Sequence, residues 1–288
     1  MAQQNDSTNR TAEKRRRAKS LVDGALNDLA TALEQGKSQT LVEYLAAMAK
    51  FHRYSFGNVL LIAAQSPDAR RVAGYRTWQQ LGRQVKHGEK GILIFAPMFL
   101  KNRTDESSPE TSTGDEPDKQ LRFRVVHVFD VSQTEGEPLP EHATVNGNPA
   151  GLTDRLKQFA AESGIVVEYS ANIGSAHGYS CGGQIVLRND LSPAETFSTL
   201  AHELAHEFLH QGDGAVRGSK TVRETEAEAV AFVVSHAIGL DTNTASSDYI
   251  QLYAGDKDTL SQSLDRIQRT ASKILAAITD DQGASADV

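Results

Sequence analysis

Residues 199–210 place two histidines four apart, His202 and His206, with Glu203 directly after the first, inside an otherwise apolar helical pattern. On a helix, positions i and i+4 share a face one turn apart, so both rings can offer a nitrogen to a single ion. Glu203 stands beside them, placed to take a proton from water. This is the His-Glu-x-x-His arrangement, with zinc as Lewis acid and glutamate as general base. Five positions with three fixed also occur by chance, so the context has to carry weight.

A catalytic zinc needs a third protein ligand and an open position. About 20 residues on, Arg223-Glu224-Thr225-Glu226-Ala227-Glu228 lies in a second helical pattern. Glu224 and Glu228 share a face, so one can bind the ion while the other orients a ligand imidazole. Glu226 falls on the opposite side, where the simpler reading is solvated surface and the other is an orienting residue or an alternative ligand. His210 continues the histidine stripe by a turn, as a site residue or as packing at the helix end. His177 and Tyr179, in a glycine-rich turn, are candidates to stabilise an oxyanion.

These residues need elements to hold them. Ser192-Pro193-Ala194-Glu195 spells a capping box with proline at the first helical position, and so starts the helix that carries the histidines. Before it come a helix over Leu-Thr-Asp-Arg-Leu-Lys-Gln-Phe-Ala-Ala-Glu-Ser-Gly and strands at Ile-Val-Val-Glu-Tyr and Gln-Ile-Val-Leu-Arg. After it come the acidic helix, ending at Gly239, and an amphipathic helix over 259–278.

The first half differs in kind. Residues 1–100 hold 15 Lys plus Arg against 8 Asp plus Glu, whereas the remainder holds 15 against 29, within a net charge of −7. A basic half suits a polyanion that the acidic half would repel. Following a frayed basic start come two helices, an apolar run stopped at Ser66-Pro67, a short helix around Trp78 and a strand at 92–100. An acidic, Ser/Thr/Pro-rich stretch at 102–119 reads as a flexible insertion in a hairpin, because an alternating strand resumes after it. Aromatic and cationic residues interleave here: Tyr75, Arg76, Trp78, Arg83, Lys86, Lys90 and Phe95, with Arg71 just before them. Rings that stack on bases beside cations that hold phosphates suit single-stranded nucleic acid; buried aromatics would read the same way.

The length fits two domains, expected at 15–138 and 149–278, in an α+β fold. The lone Cys181 excludes an internal disulfide and a thiolate cluster, which fits a reducing cytoplasm. No apolar run reaches the roughly 20 residues of a spanning helix, so no membrane role is expected.

Two resemblances follow from these motifs. Gly-Gly-Gln-Ile-Val-Leu-Arg through His210, with Glu224 to Thr242, resembles the zinc metallopeptidase domain of the ImmA/IrrE type, of the glutamate-zinc class. Its Glu-x-x-Ala-(Asn/Asp/Glu) pattern, read as Glu224-x-x-Ala227-Glu228, implies Glu224 as the third ligand; a shifted reading on Glu226 puts Val230 at the polar position. Tyr-Ser-Phe-Gly-Asn, the stretch around Trp78, Gly-Glu-Lys-Gly and Val-Phe-Asp-Val-Ser-Gln-Thr-Glu-Gly are similar to the single-stranded-DNA-binding domain of ArdC-type antirestriction proteins, also found in plasmid primases of the TraC type; the resemblance puts Tyr54, Asn58 and Trp78 at recurring motif positions and implies them as DNA contacts. The His-Glu-x-x-His geometry favours zinc and leaves manganese or cobalt open; the family implies a role in protecting a mobile element's DNA, with a host restriction or nucleoprotein component as target. It leaves two rivals: a repressor-cleaving peptidase, and a DNA shield with a structural zinc. Where plasmid members continue with Trp-Thr-Gly-His, this chain has Glu207-Phe208-Leu209-His210.

Overall fold

The computed structural model describes residues 2–99, 121–139, 148–149, 151–211, 219–240, 252 and 256–279. The insertion expected at 102–119 and the tail from 280 lie outside them. The chain opens with α1 (Ala2–Glu34), α2 (Gln39–Lys50) and α3 (Phe56–Gln65). The start expected to fray is helical throughout; Ala18 is fully buried, and Arg15 donates to the Phe123 carbonyl. Those tertiary contacts lie more than 100 residues away in sequence.

Next come β1 (Val72–Gly74), α4 (Tyr75–Gln80), β2 (Arg83–Val85), β3 (Ile92–Phe99) and β4 (Leu121–Asp130), then a 3₁₀ turn (Val131–Gln133) and β5 (Thr134–Gly136). The order β1-β4-β3 is antiparallel throughout, and β2 pairs with β5. Ile92, Ile94, Ala96 and Val128 are buried on one face of the sheet. The free edge of β3 is closed by side chains. Asn58 donates to the Phe95 carbonyl at 2.8 Å and accepts from its N–H at 2.9 Å, and Gln65, two turns along α3, does the same for Leu93 at 3.0 and 3.1 Å. Two amides seven residues apart thus stand in for a neighbouring strand.

The corner after β4 is built around Asp130, which is buried. Its carboxylate accepts from the backbone of Arg70 and Arg71 and from both the backbone and hydroxyl of Ser132. Burial would raise its pKa, but these donors outweigh it and hold the group below the usual range. Gln133 reaches across to Glu89 and the Lys90 carbonyl, tying the Gly-Glu-Lys-Gly turn to this corner. Gly136 has φ of 134°, and a Cβ there would come within 2.4 Å of the Gly82 carbonyl oxygen, so only glycine fits.

The second half contains α5 (Leu152–Glu162), β6 (Val166–Ser170), β7 (Gly178–Ser180), β8 (Gln184–Arg188), α6 (Pro193–His210), α7 (Lys220–Ala237) and α8 (Lys257–Ile278). β6 runs parallel to β8, and β7 pairs antiparallel on its other side. The glycine-rich segment read as a turn therefore contains a short strand. Both halves are α+β, but they share one apolar core: Leu45 and Met48 of α2, Val230 and Val233 of α7, and Leu264 and Ile267 of α8 belong to one buried cluster. Gln268 on α8 also donates to the carbonyls of His52 and Tyr54, each at 3.1 Å.

Candidate metal centre

Helix α6 begins as its spacing predicts: Ser192 accepts from the Glu195 N–H at 3.3 Å, and the Glu195 carboxylate accepts from Ser192 at 2.9 Å. The helix packs along α7, and the two bring three side chains to one point. The Nε2 atoms of His202 and His206 lie 3.1 Å apart, and Glu224 Oε2 stands 3.7 and 3.5 Å from them. Donors about 2.1 Å from a common ion at tetrahedral corners stand about 3.4 Å apart. The three separations bracket that value, so this donor set fits a divalent cation. Glu224 is half-exposed, leaving one side of the cluster open to solvent.

The electrostatics suit the same use. Burial disfavours charge on both rings, but the carboxylates of Glu224 and Glu228 outweigh it at His202 and raise its pKa to about 9. His206 is lowered to about 4 by burial and by the neighbouring His202 charge. Two facing imidazoles this close hold one proton between them. Glu224 is pulled down to about 2, chiefly by its hydrogen bond with His202. Glu203 is buried, and burial raises its pKa against the opposing His202 charge and a hydrogen bond from Ser180 on β7. A carboxylate moved up in this way is better matched to proton transfer near neutral pH.

Around this cluster the contacts diverge from the sequence reading. Glu228 lies 3.3 Å from Nδ1 of His202, on the ring edge turned away from the cluster. Glu226 is not solvated surface. It is 2% exposed, accepts from His210 Nε2 at 2.9 Å and is paired with Arg266. Helix α8 covers that side of α7, which periodicity within α7 could not show. His210 is buried too, its Nδ1 facing His206 Nδ1 at 3.1 Å. Gly178 would meet Thr199 of α6 with any Cβ, and Ser180 bonds to Glu203, so the alternation of β7 turns Tyr179 away from the site, 45% exposed. Tyr179 therefore does not reach an oxyanion position, and His177, just before the strand, serves by its carbonyl as partner to Arg188 N–H.

Sequence reasoning missed Glu207. Its carboxylate accepts from Gly182 and Gly183 N–H at 3.0 and 2.8 Å and anchors the β7–β8 hairpin to the metal-site helix. The only signal was a buried-side glutamate one residue after His206.

In the N-terminal half, several expected nucleic-acid contacts are structural. Trp78 has no exposed surface and donates to the Phe129 carbonyl at 2.9 Å, so no base can stack on it. Asn58 is spent on β3. Tyr54 donates to the Val72 carbonyl at 3.0 Å, Lys86 to Ser132, and Arg83 to Thr134 and the Gly136 and Glu137 carbonyls. Arg71 is half-buried; Tyr75, Arg76 and Lys90 are exposed. The structure also exposes residues that the sequence reading passed over. Phe123 is 48% exposed between the exposed Arg122 and Arg124. Arg15 anchors the cations Lys14, Arg16 and Arg17 of α1 beside β4, and Lys14 is close enough to add to the burial that lowers His127.

Comparison with known proteins gives two family matches. Residues 20–130 match the N-terminal domain of anti-restriction factor ArdC, and residues 160–249 match the IrrE N-terminal-like domain. An uncharacterized protein of Bacillus anthracis is 26% identical over 301 aligned positions, covering 90% of this chain and 51% of that protein. An uncharacterized protein of Sinorhizobium fredii is 31% identical over 123 positions, 40% of this chain and 38% of its own. The chain thus spans about half of one of these curated relatives and 38% of the other. Among solved structures, the antirestriction ArdC protein of plasmid R388 shares the fold. Its metal-free form gives a TM-score of 0.51 at 19% identity, over 90% of this chain and 97% of that one. The Mn(II)-bound form gives 0.52 at 20%, over 91% and 99%.

Proposed function

We propose that this chain, whose first half matches the N-terminal domain of anti-restriction factor ArdC and whose second half matches the IrrE N-terminal-like domain, is an ArdC-type antirestriction protein that binds single-stranded DNA through its N-terminal domain and acts on a protein target at a metal site in its C-terminal domain. The convergence of His202, His206 and Glu224 carries the second part of this reading. These three would hold zinc, and manganese suits an oxygen-bearing donor set as well. A bound divalent ion supplies a Lewis acid that polarises a peptide carbonyl and acidifies water. Glu203 takes the proton from the attacking water and passes it to the leaving amine. Ser180 and the Glu207-anchored hairpin hold that carboxylate against the cleft.

The first part rests on surface chemistry. Exposed cations of α1 lie beside β4, where alternation puts the exposed Arg122 and Arg124 on one face and the exposed Phe123 on the other, with Tyr75, Arg76 and Lys90 also open to solvent. Exposed rings among cations bind single strands with little sequence preference. The target is a host restriction or nucleoprotein component met on that DNA. Among the described residues no helix is long and apolar enough to cross a membrane, and the reading places the protein in the cytoplasm, where restriction acts on entering DNA.

The test is transfer of a conjugative plasmid into restricting and non-restricting recipients. Wild-type protein should raise transfer into restricting cells alone. Glu203→Gln should lose that protection while still binding metal and DNA. Protection that survives Glu203→Gln would favour a non-proteolytic shield; no protection by wild type would sink the reading.

A further inference from the structure

We propose that His210, Glu226 and Arg266 form a positioning relay that fixes the ring of His206 for its ion and makes α8 part of the metal centre. The inference rests on the metal-site reading above and goes on to say how one ligand is held. Four groups lie in line: His206 Nδ1 is 3.1 Å from His210 Nδ1, His210 Nε2 is 2.9 Å from Glu226 Oε2, and the other oxygen of Glu226 accepts from Arg266. The side chains of His210 and Glu226 are 1% and 2% exposed, so water cannot make good a mismatched pair.

The direction of the relay follows from the donor inventory. The ionised Glu226 can only accept, so His210 carries a hydrogen on Nε2 and, as the neutral imidazole, presents a lone pair at Nδ1. His206 must then carry its hydrogen on Nδ1 and leave Nε2 bare. That bare nitrogen is the one facing His202 and Glu224. The opposite tautomer would aim a His210 lone pair at a buried carboxylate. Arg266 fixes the charge of Glu226, and it also donates to Ser263 at 3.0 Å. His202 is oriented more simply, with Nδ1 3.3 Å from the partly exposed Glu228. Groups that orient a ligand imidazole typically account for about 10–100-fold in metal affinity. The origin of this relay in α8 is the new element, because two residues beyond Arg266 the same helix grips the His52 and Tyr54 carbonyls of the N-terminal half.

The test uses the full-length chain, stripped of metal and titrated with Co²⁺, with affinity read from its visible absorption and Zn²⁺ affinity from competition. His210→Phe should lose about 10–100-fold in affinity and shift the cobalt bands. His210→Asn, whose amide oxygen can accept the same His206 proton, should recover most of that loss. Arg266→Met, remote from the ion, should cost several-fold and decides the matter if His210→Phe does not fold. Asn58→Ala, a destabilised control far from the relay, should lower the melting temperature and leave both readouts unchanged. If His210→Phe or Arg266→Met folds, binds Co²⁺ as wild type does and keeps the same spectrum, the relay is refuted and the metal site stands. If wild type binds no Co²⁺, the metal-site reading fails and takes the relay with it.

Discussion

At the scale of residues, the facing pair His202 and His206 makes a prediction about protons. Without metal the pair holds one proton, because His202 is raised to about 9 while His206 is lowered to about 4. Binding an ion at neutral pH should therefore release about one proton, and apparent affinity should climb about tenfold per pH unit up to about pH 9. Calorimetric titration in buffers of different ionisation enthalpy measures that release, and its absence would contradict the assignment. The stability signs differ between the two forms. A raised histidine pKa stabilises the metal-free fold fully below about 6.5 and is lost as pH rises to about 9, whereas the stabilisation given by metal grows over the same interval. Spacing alone singled out His202, Glu203 and His206 as a candidate site. Glu226 was misread because its partner Arg266 lies 40 positions on, on another helix, and no period within α7 carries that information.

At the scale of elements, the side-chain clamps decide stability. Asn58→Ala would leave the Phe95 N–H and carbonyl on β3 without partners; each buried orphan costs about 1–3 kcal/mol. Denaturant melts should show a loss of about 2–6 kcal/mol for the two groups together, with single-strand affinity unchanged, which separates the edge-closing role of Asn58 from the DNA contact that its motif position suggested. Glu207→Ala should cost a similar amount and speed amide exchange at Gly182 and Gly183, the two N–H groups it holds. Unchanged exchange there would mean that the hairpin is held by other contacts. The capping box at Ser192 was readable because it is local. The strand β7 was not, because three residues that start at a glycine pair only through β8.

At the scale of the whole molecule, the shared core of α2, α7 and α8 predicts one cooperative unfolding transition, even though the sequence divides into two families. Two separate calorimetric transitions would show that the halves fold apart. Removing residues 1–148 would strip α2 from α7 and uncover apolar surface, so a stable isolated C-terminal fragment is not expected. The α+β class and the charge division were legible from pattern and composition. The shared core was not, since helix faces can be read singly while their pairing cannot.

The central claim is that a nucleic-acid module and a metal site occupy one molecule, and its most direct test is fluorescence anisotropy of labelled single- and double-stranded oligonucleotides with full-length protein across a salt series, with and without chelator. The account predicts salt-dependent binding that favours single strands and survives chelation. It should weaken several-fold in Phe123→Ala and in a Lys14, Arg16 and Arg17 to alanine triple variant, the latter with a shallower salt slope. Absence of single-strand binding at low salt would contradict it.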